Sequence, residues 1–112
     1  MLSEARVGKI ERLANHLATA ETSKQGVSPL TELEPQLTTQ EAYQVQLQII
    51  ESKMNSGQKI IGKKIGLTSR AMQELLRVDE PDYGHLLDDM VVENGGEIDP
   101  KRVLQPKVEA EL

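Results

Sequence analysis

The hydrophobic pattern changes period at Gly57, and that change limits what the chain can fold into. Before Gly57 apolar residues recur at helical spacing, and after it they alternate. Val7, Ile10, Leu13, Ala14 and Leu17 share one helical face, which predicts a helix over residues 3–22 with Ser3 as its N-cap. Lys9, Glu11 and Arg12 are expected to face away. Residues 23–35 hold Gly26, Pro29 and Pro35 and read as a connecting loop. A second helix starts at Thr38, because Thr38 and Glu41 have the spacing of a capping box. Its expected apolar stripe is Tyr43, Leu47, Ile50 and Met54, and Gly57 is its C-terminal stop.

Beyond Gly57, residues 59–67 form a short β-rich run. Ser69 can cap a third helix through Leu76, with Ala71, Met72, Leu75 and Leu76 as its buried face. Pro81-Asp82-Tyr83-Gly84 predicts a turn, residues 86–92 a strand, and Asn94-Gly95-Gly96 a tight turn. Residues 103–112 predict a further strand. Helices first and strands later give an α+β arrangement rather than a regular βαβ alternation. The division is a helical segment, 1–57, and the start of a β-region, 58–112, within a single domain, 1–112.

Only two aromatic residues, both tyrosines, occur in 112 residues. Aromatics bury the most area per side chain, and small domains have little interior. The chain is therefore expected to need more polypeptide, or neighbouring subunits, to cover its apolar faces. The net charge of -5 and the lack of a basic stripe argue against nucleic-acid binding. No apolar run is long enough to cross a membrane, and the N-terminus lacks the apolar core of a signal peptide. The absence of cysteine excludes disulfides and thiolate metal sites within these residues. A cytoplasmic, soluble enzyme or subunit fits this composition.

Three places could carry chemistry. Val108-Glu109-Ala110-Glu111-Leu112 alternates, so in a strand Glu109 and Glu111 share a face. Two carboxylates held together repel, and a hard divalent cation is one way to relieve that. Oxygen ligands favour Mg²⁺ or Mn²⁺ over zinc. A solvated strand face with two ordinary glutamates is the competing reading. In Ile61-Gly62-Lys63-Lys64-Ile65-Gly66-Leu67, Ile61, Ile65 and Leu67 share one face and Gly62, Lys64 and Gly66 the other. The flanking glycines leave room for a ligand beside Lys64. An edge-strand lysine that discourages aggregation would look the same. Asp82 is either a local turn residue or an acid/base group that orients Lys64. His16 and His85 lack a partner histidine at metal spacing, and a surface strand accounts for Asp88 and Asp89, so none of these is assigned a role.

In order along the chain stand Gly62-Lys63-Lys64-Ile65-Gly66-Leu67-Thr68-Ser69, Ala71-Met72-Gln73, Val78-Asp79-Glu80-Pro81-Asp82-Tyr83-Gly84, Asp89-Met90 and Leu104-Gln105-Pro106-Lys107-Val108-Glu109-Ala110-Glu111. Together these motifs resemble the 2-keto-4-pentenoate hydratases of the fumarylacetoacetate-hydrolase superfamily. The resemblance spans most of residues 38–112; before that it is one of pattern only. It implies the start of the mixed β-structure of that superfamily, as the N-terminal part of a longer enzyme. It implies metal-dependent hydration of 2-hydroxypenta-2,4-dienoate to 4-hydroxy-2-oxopentanoate in meta-cleavage of aromatic compounds. Glu109 and Glu111 carry over as Mg²⁺ or Mn²⁺ ligands, Lys64 as the group that stabilises the enolate or assists proton transfer, and Asp82 as its acid/base partner. Thr68 and Ser69 carry over as contacts for the substrate carboxylate.

There are two departures. Arginine stands at position 77, where the family often has glycine, so the turn after the third helix is expected to differ. The family's third metal carboxylate lies later in the chain, so these residues alone are expected to bind metal weakly and not to turn over substrate. The resemblance extends to 4-oxalocrotonate decarboxylases and to 2-oxohept-4-ene-1,7-dioate hydratases. It also implies a homo-oligomer at full length and association with a related decarboxylase. A reading of another class is a non-catalytic partner subunit.

Overall fold

The computed structural model describes residues 4–111. Two compact units divide the chain, one reaching to Ile49 and resuming at Val92, the other spanning Ile50–Val91. The elements are α1 (Glu4–Ser23), α2 (Leu30–Leu33), α3 (Thr39–Asn55), β1 (Ile60–Gly66), α4 (Arg70–Leu75) and β2 (Asp82–Leu87), with 3₁₀ turns at Asp88–Met90 and Pro100–Arg102. The α+β class expected from the sequence is the observed one. No described helix is long and apolar enough to cross a membrane. Ser3, the expected first cap, and Leu112 lie outside the described residues.

In the first unit, Ile10, Leu13 and Ala14 of α1 meet Val45 of α3 in a small core. Leu17, Leu30, Leu37 and Ile49 pack around it. Leu30 belongs to α2, a single helical turn inside the segment expected to be a loop. His16 Nε2 lies 2.9 Å from the Ser28 carbonyl oxygen, which ties α1 to that segment.

The capping box forms as the spacing predicts. Thr38 N–H donates to Glu41 Oε1 at 3.1 Å, and Glu41 N–H donates to Thr38 Oγ1 at 3.1 Å. The buried face of α3 matches the expected stripe only in part. Ile50 is buried as expected and Tyr43 is half-buried, but Leu47 and Met54 are exposed, and Val45 and Glu41 are buried as well. Lys9, expected to face solvent, turns towards Glu41 and donates to its Oε2 at 3.0 Å, with Arg6 Nε at 3.8 Å.

Glu41 is a buried carboxylate with a backbone donor and a cation beside it. The Thr38 N–H, with the Lys9 ammonium second, holds its pKa down to about 2. A depressed carboxylate stabilises the fold fully above its unfolded pKa, and that stabilisation is lost as pH falls through the folded value. Resistance to urea is therefore expected to decline between about pH 4.5 and about pH 2. Glu41→Gln should flatten that dependence, and urea midpoints taken across the range would show it.

In the second unit α3 ends in a Schellman motif. Gly57 has φ +103°, its N–H donates to the Met54 carbonyl, and the Gln58 N–H donates to Lys53. β1 and β2 then pair antiparallel as a two-stranded sheet. A register irregularity between Ile60 and Gly62 sets two residues against Leu87, so strict alternation holds only from Gly62 onward. Asp88 closes the far end: its N–H donates to the Lys59 carbonyl at 2.9 Å, and its Oδ1 accepts from the Lys59 N–H at 3.1 Å.

α4 ends in the same motif as α3, with Arg77 at φ +57° in the glycine position. Arg77 N–H donates to Glu74 and Val78 N–H to Gln73. The turn expected to differ is thus left-handed with arginine in place. An L-residue there costs about 1 kcal/mol. Arg77→Gly is expected to stabilise the protein by about that much, read as a higher urea midpoint at unchanged slope.

Candidate functional site

Lys64 lies in the middle of β1, opposite Gly84 of β2, and Gly66 lies opposite Asp82. Lys64 and Asp82 are therefore diagonal neighbours on one face of the ladder, a spacing of about 7–8 Å. The other face carries Lys63 opposite His85 and Ile65 opposite Tyr83. A Cβ added at Gly66 or at Gly84 would meet nothing within 4 Å. At Gly62, on the same face, a Cβ would lie 3.6 Å from the Leu86 side chain opposite, so the open glycine positions beside Lys64 are Gly66 along its strand and Gly84 across the ladder. Both Lys64 and Asp82 are exposed.

Asp82 was expected in a turn, and here the structure differs. β2 begins at Asp82 and ends at Leu87, so it starts four residues and ends five residues earlier than the strand expected over 86–92. Pairing with β1 overrides the local turn preference of Pro81-Asp82-Tyr83-Gly84, because each ladder bond satisfies a backbone group. Sequence reasoning could not identify Gly84 as part of the floor, since only the register places it there.

Beyond Gly66 the strand stops. Leu67, expected on the face of Ile61 and Ile65, has φ +53° and starts a turn. Ser69 follows as the N-cap of α4, its Oγ accepting from Met72 N–H at 3.2 Å. Thr68 and Ser69 are both exposed. The apolar residues expected to be the buried face of α4 are exposed as well: Met72, Leu75 and Leu76 all lie open, and so does Ala71. The side chain that turns inward is Gln73, whose Nε2 donates to the Leu67 carbonyl at 2.7 Å.

Glu109 and Glu111 belong to the other compact unit and are both exposed. The strand expected over 103–112 does not form among the described residues. That segment holds a bend at 104–105 and then neither helix nor strand. A strand needs a partner for its backbone groups, and among the described residues the sheet consists of β1 and β2 alone. Val108, which the alternation would bury, is 97% exposed. The carboxylates fit a hard divalent cation in donor type. In number they fall short, since no group of three or more His, Cys, Asp or Glu that could hold a metal occurs among the described residues.

No family model matches the chain. It is 38% identical over 105 residues to a 2-hydroxypent-2,4-dienoate hydratase of Pseudomonas putida, covering 92% of this chain and 47% of that protein. It is 39% identical over 100 residues to a 2-oxo-hept-4-ene-1,7-dioate hydratase of Escherichia coli, covering 89% and 38%. Among solved structures, the 4-oxalocrotonate decarboxylase of Pseudomonas putida G7, complexed with calcium and acetate, matches with a TM-score of 0.83 at 34% identity, over 91% of this chain and 38% of that one. The same enzyme complexed with magnesium and adipate matches with a TM-score of 0.72. The chain belongs to the family of 2-keto-4-pentenoate hydratases and 4-oxalocrotonate decarboxylases. It spans less than half the length of these relatives.

Proposed function

We propose that the protein carrying this chain is a hydro-lyase that converts 2-hydroxypenta-2,4-dienoate to 4-hydroxy-2-oxopentanoate. The observation that carries this reading is the placement of Lys64 and Asp82 on one face of the hairpin, over open glycine backbone. In the first half of the reaction the 2-hydroxyl proton leaves and a proton is added at C5, which gives the conjugated 2-oxo-3-enoate. In the second half water adds, with hydroxyl to C4 and hydrogen to C3. Both halves place negative charge on the 2-oxygen. The Lys64 ammonium would stabilise that charge, and Asp82 would accept and return the proton beside it. Thr68 and Ser69, at the end of β1, would hold the substrate carboxylate.

Glu109 and Glu111 would hold Mg²⁺ or Mn²⁺ as part of a larger ligand set. A divalent cation bound there would supply Lewis-acid polarisation of the 2-oxygen. In this proposal residues 58–112 are the start of a catalytic β-region of the fumarylacetoacetate-hydrolase type, and residues 1–57 its helical lead. The protein would act in the cytoplasm, as a homo-oligomer or together with a related decarboxylase.

The test is turnover by the expressed gene product with Mg²⁺ and 2-hydroxypenta-2,4-dienoate. Loss of the dienol absorbance with formation of 4-hydroxy-2-oxopentanoate is expected. Lys64→Met should lower kcat by roughly 100-fold or more, the range for a positioned acid/base group. The likeness to the solved decarboxylase favours a second reading. In that reaction 4-oxalocrotonate loses CO₂ and the enolate left behind is protonated. Release of CO₂ from 4-oxalocrotonate, with no hydration of the dienoate, would replace the first reading with the second.

A further inference from the structure

We infer that Gln73 is the positioning residue for the Leu67–Thr68–Ser69 turn, which under the proposed function meets the substrate carboxylate. The inference rests on that reading for what the turn binds, and on the structure for how it is held. Every apolar side chain of α4 is exposed, so burial does not anchor this short helix. Gln73 is the half-buried member of the helix and bonds in two directions. Its side-chain amide donates to the Leu67 carbonyl at 2.7 Å, and its own carbonyl accepts from Val78 N–H at 2.9 Å. One residue thereby ties the turn before α4 to the turn after it.

Leu67 needs such a tie. Its left-handed φ of +53° is unfavourable for an L-residue and persists only when neighbours hold it. That conformation redirects the chain off the end of β1, three residues after Lys64, and so sets where Thr68 and Ser69 stand. A neutral amide suits this task. A cationic donor at the same place would compete with Lys64 for an anionic substrate, whereas the amide is committed to a carbonyl and does not titrate.

The experiment compares the protein with Gln73→Met, which keeps length and helix propensity but lacks the donor, and with Gln73→Lys, which restores a donor. Backbone NMR on labelled protein reads the Leu67 φ-dependent coupling and amide exchange at Thr68 and Ser69. Gln73→Met is expected to average the coupling and speed exchange about 5–10-fold, the effect of losing one hydrogen bond, with α3 unchanged. In turnover it should raise KM about tenfold with kcat within about twofold. Gln73→Lys should restore the coupling and the exchange rate. An unchanged Leu67 coupling in Gln73→Met would overturn the inference. So would equal falls in kcat and in global stability in both variants, which would mark Gln73 as a general structural residue. If the unsubstituted protein neither hydrates the dienoate nor decarboxylates 4-oxalocrotonate, the proposed function fails, and the NMR comparison still decides whether Gln73 holds the turn.

Discussion

Glu109→Ala combined with Glu111→Ala is expected to abolish turnover by the expressed gene product and to weaken Mg²⁺ binding at least 100-fold. Replacing residues that merely support metal ligands lowers affinity about 10–100-fold, and removing two ligands outright should do no less. Glu97→Ala, another exposed acidic residue of the same unit, is the control and should leave both properties unchanged. Calorimetric titration with Mg²⁺ and a dienoate assay on the same preparations give the two readouts. Intact binding and intact turnover in the double variant would remove these residues from the metal site and return them to the solvated-surface reading. The conformation of residues 103–111 bears on the result. They lie in no ladder here, so their two carboxylates are not held on one face by strand geometry. Metal binding that orders this segment would make affinity depend on backbone ordering as well as on the ligands.

Leu87→Ala is expected to destabilise the protein by roughly 2–5 kcal/mol, the range for a buried leucine. Leu87 is 0% exposed and is the last residue of β2. Small domains have only about 5–15 kcal/mol in total, so the loss should be visible as a large fall in the urea midpoint. Leu47→Ala is the comparison. Leu47 belongs to the stripe expected to be buried but is 51% exposed, and its replacement should change stability by about 0.5 kcal/mol or less. If the two substitutions had equal effects, the assignment of the buried face would be wrong. The comparison also matters for the candidate site. The strand that Leu87 anchors carries Asp82 and Gly84, so a loosened β2 should disturb the Lys64 face without touching any residue on it.

Several features were legible in the sequence because their causes lie within a few residues. The capping box of Thr38 and Glu41, the glycine stop at Gly57 and the Ser69 cap all appear as expected. Each satisfies free backbone groups of its own helix, so no distant partner is needed. The glycine-flanked lysine was legible for the same reason, as period-two alternation within one strand. Membership of the family was legible from ordered motifs, and the similarity to known hydratases bears it out.

Tertiary structure alone decided the rest. α3 offers apolar residues on more than one face, and periodicity cannot choose between them. The core of α1 chooses Val45 and draws Lys9 onto Glu41. Strand register brings Asp82 and Gly84 to Lys64, which no local preference encodes, and it turns an expected turn residue into the first residue of a strand. The left-handed Leu67 and Arg77 run against residue preference, which gives that conformation to glycine; the bonds around them come from α4 and its C-terminal turn. The alternation at Val108 to Glu111 is a local pattern that forms no strand among the described residues, because a ladder requires a neighbour to complete its hydrogen bonds.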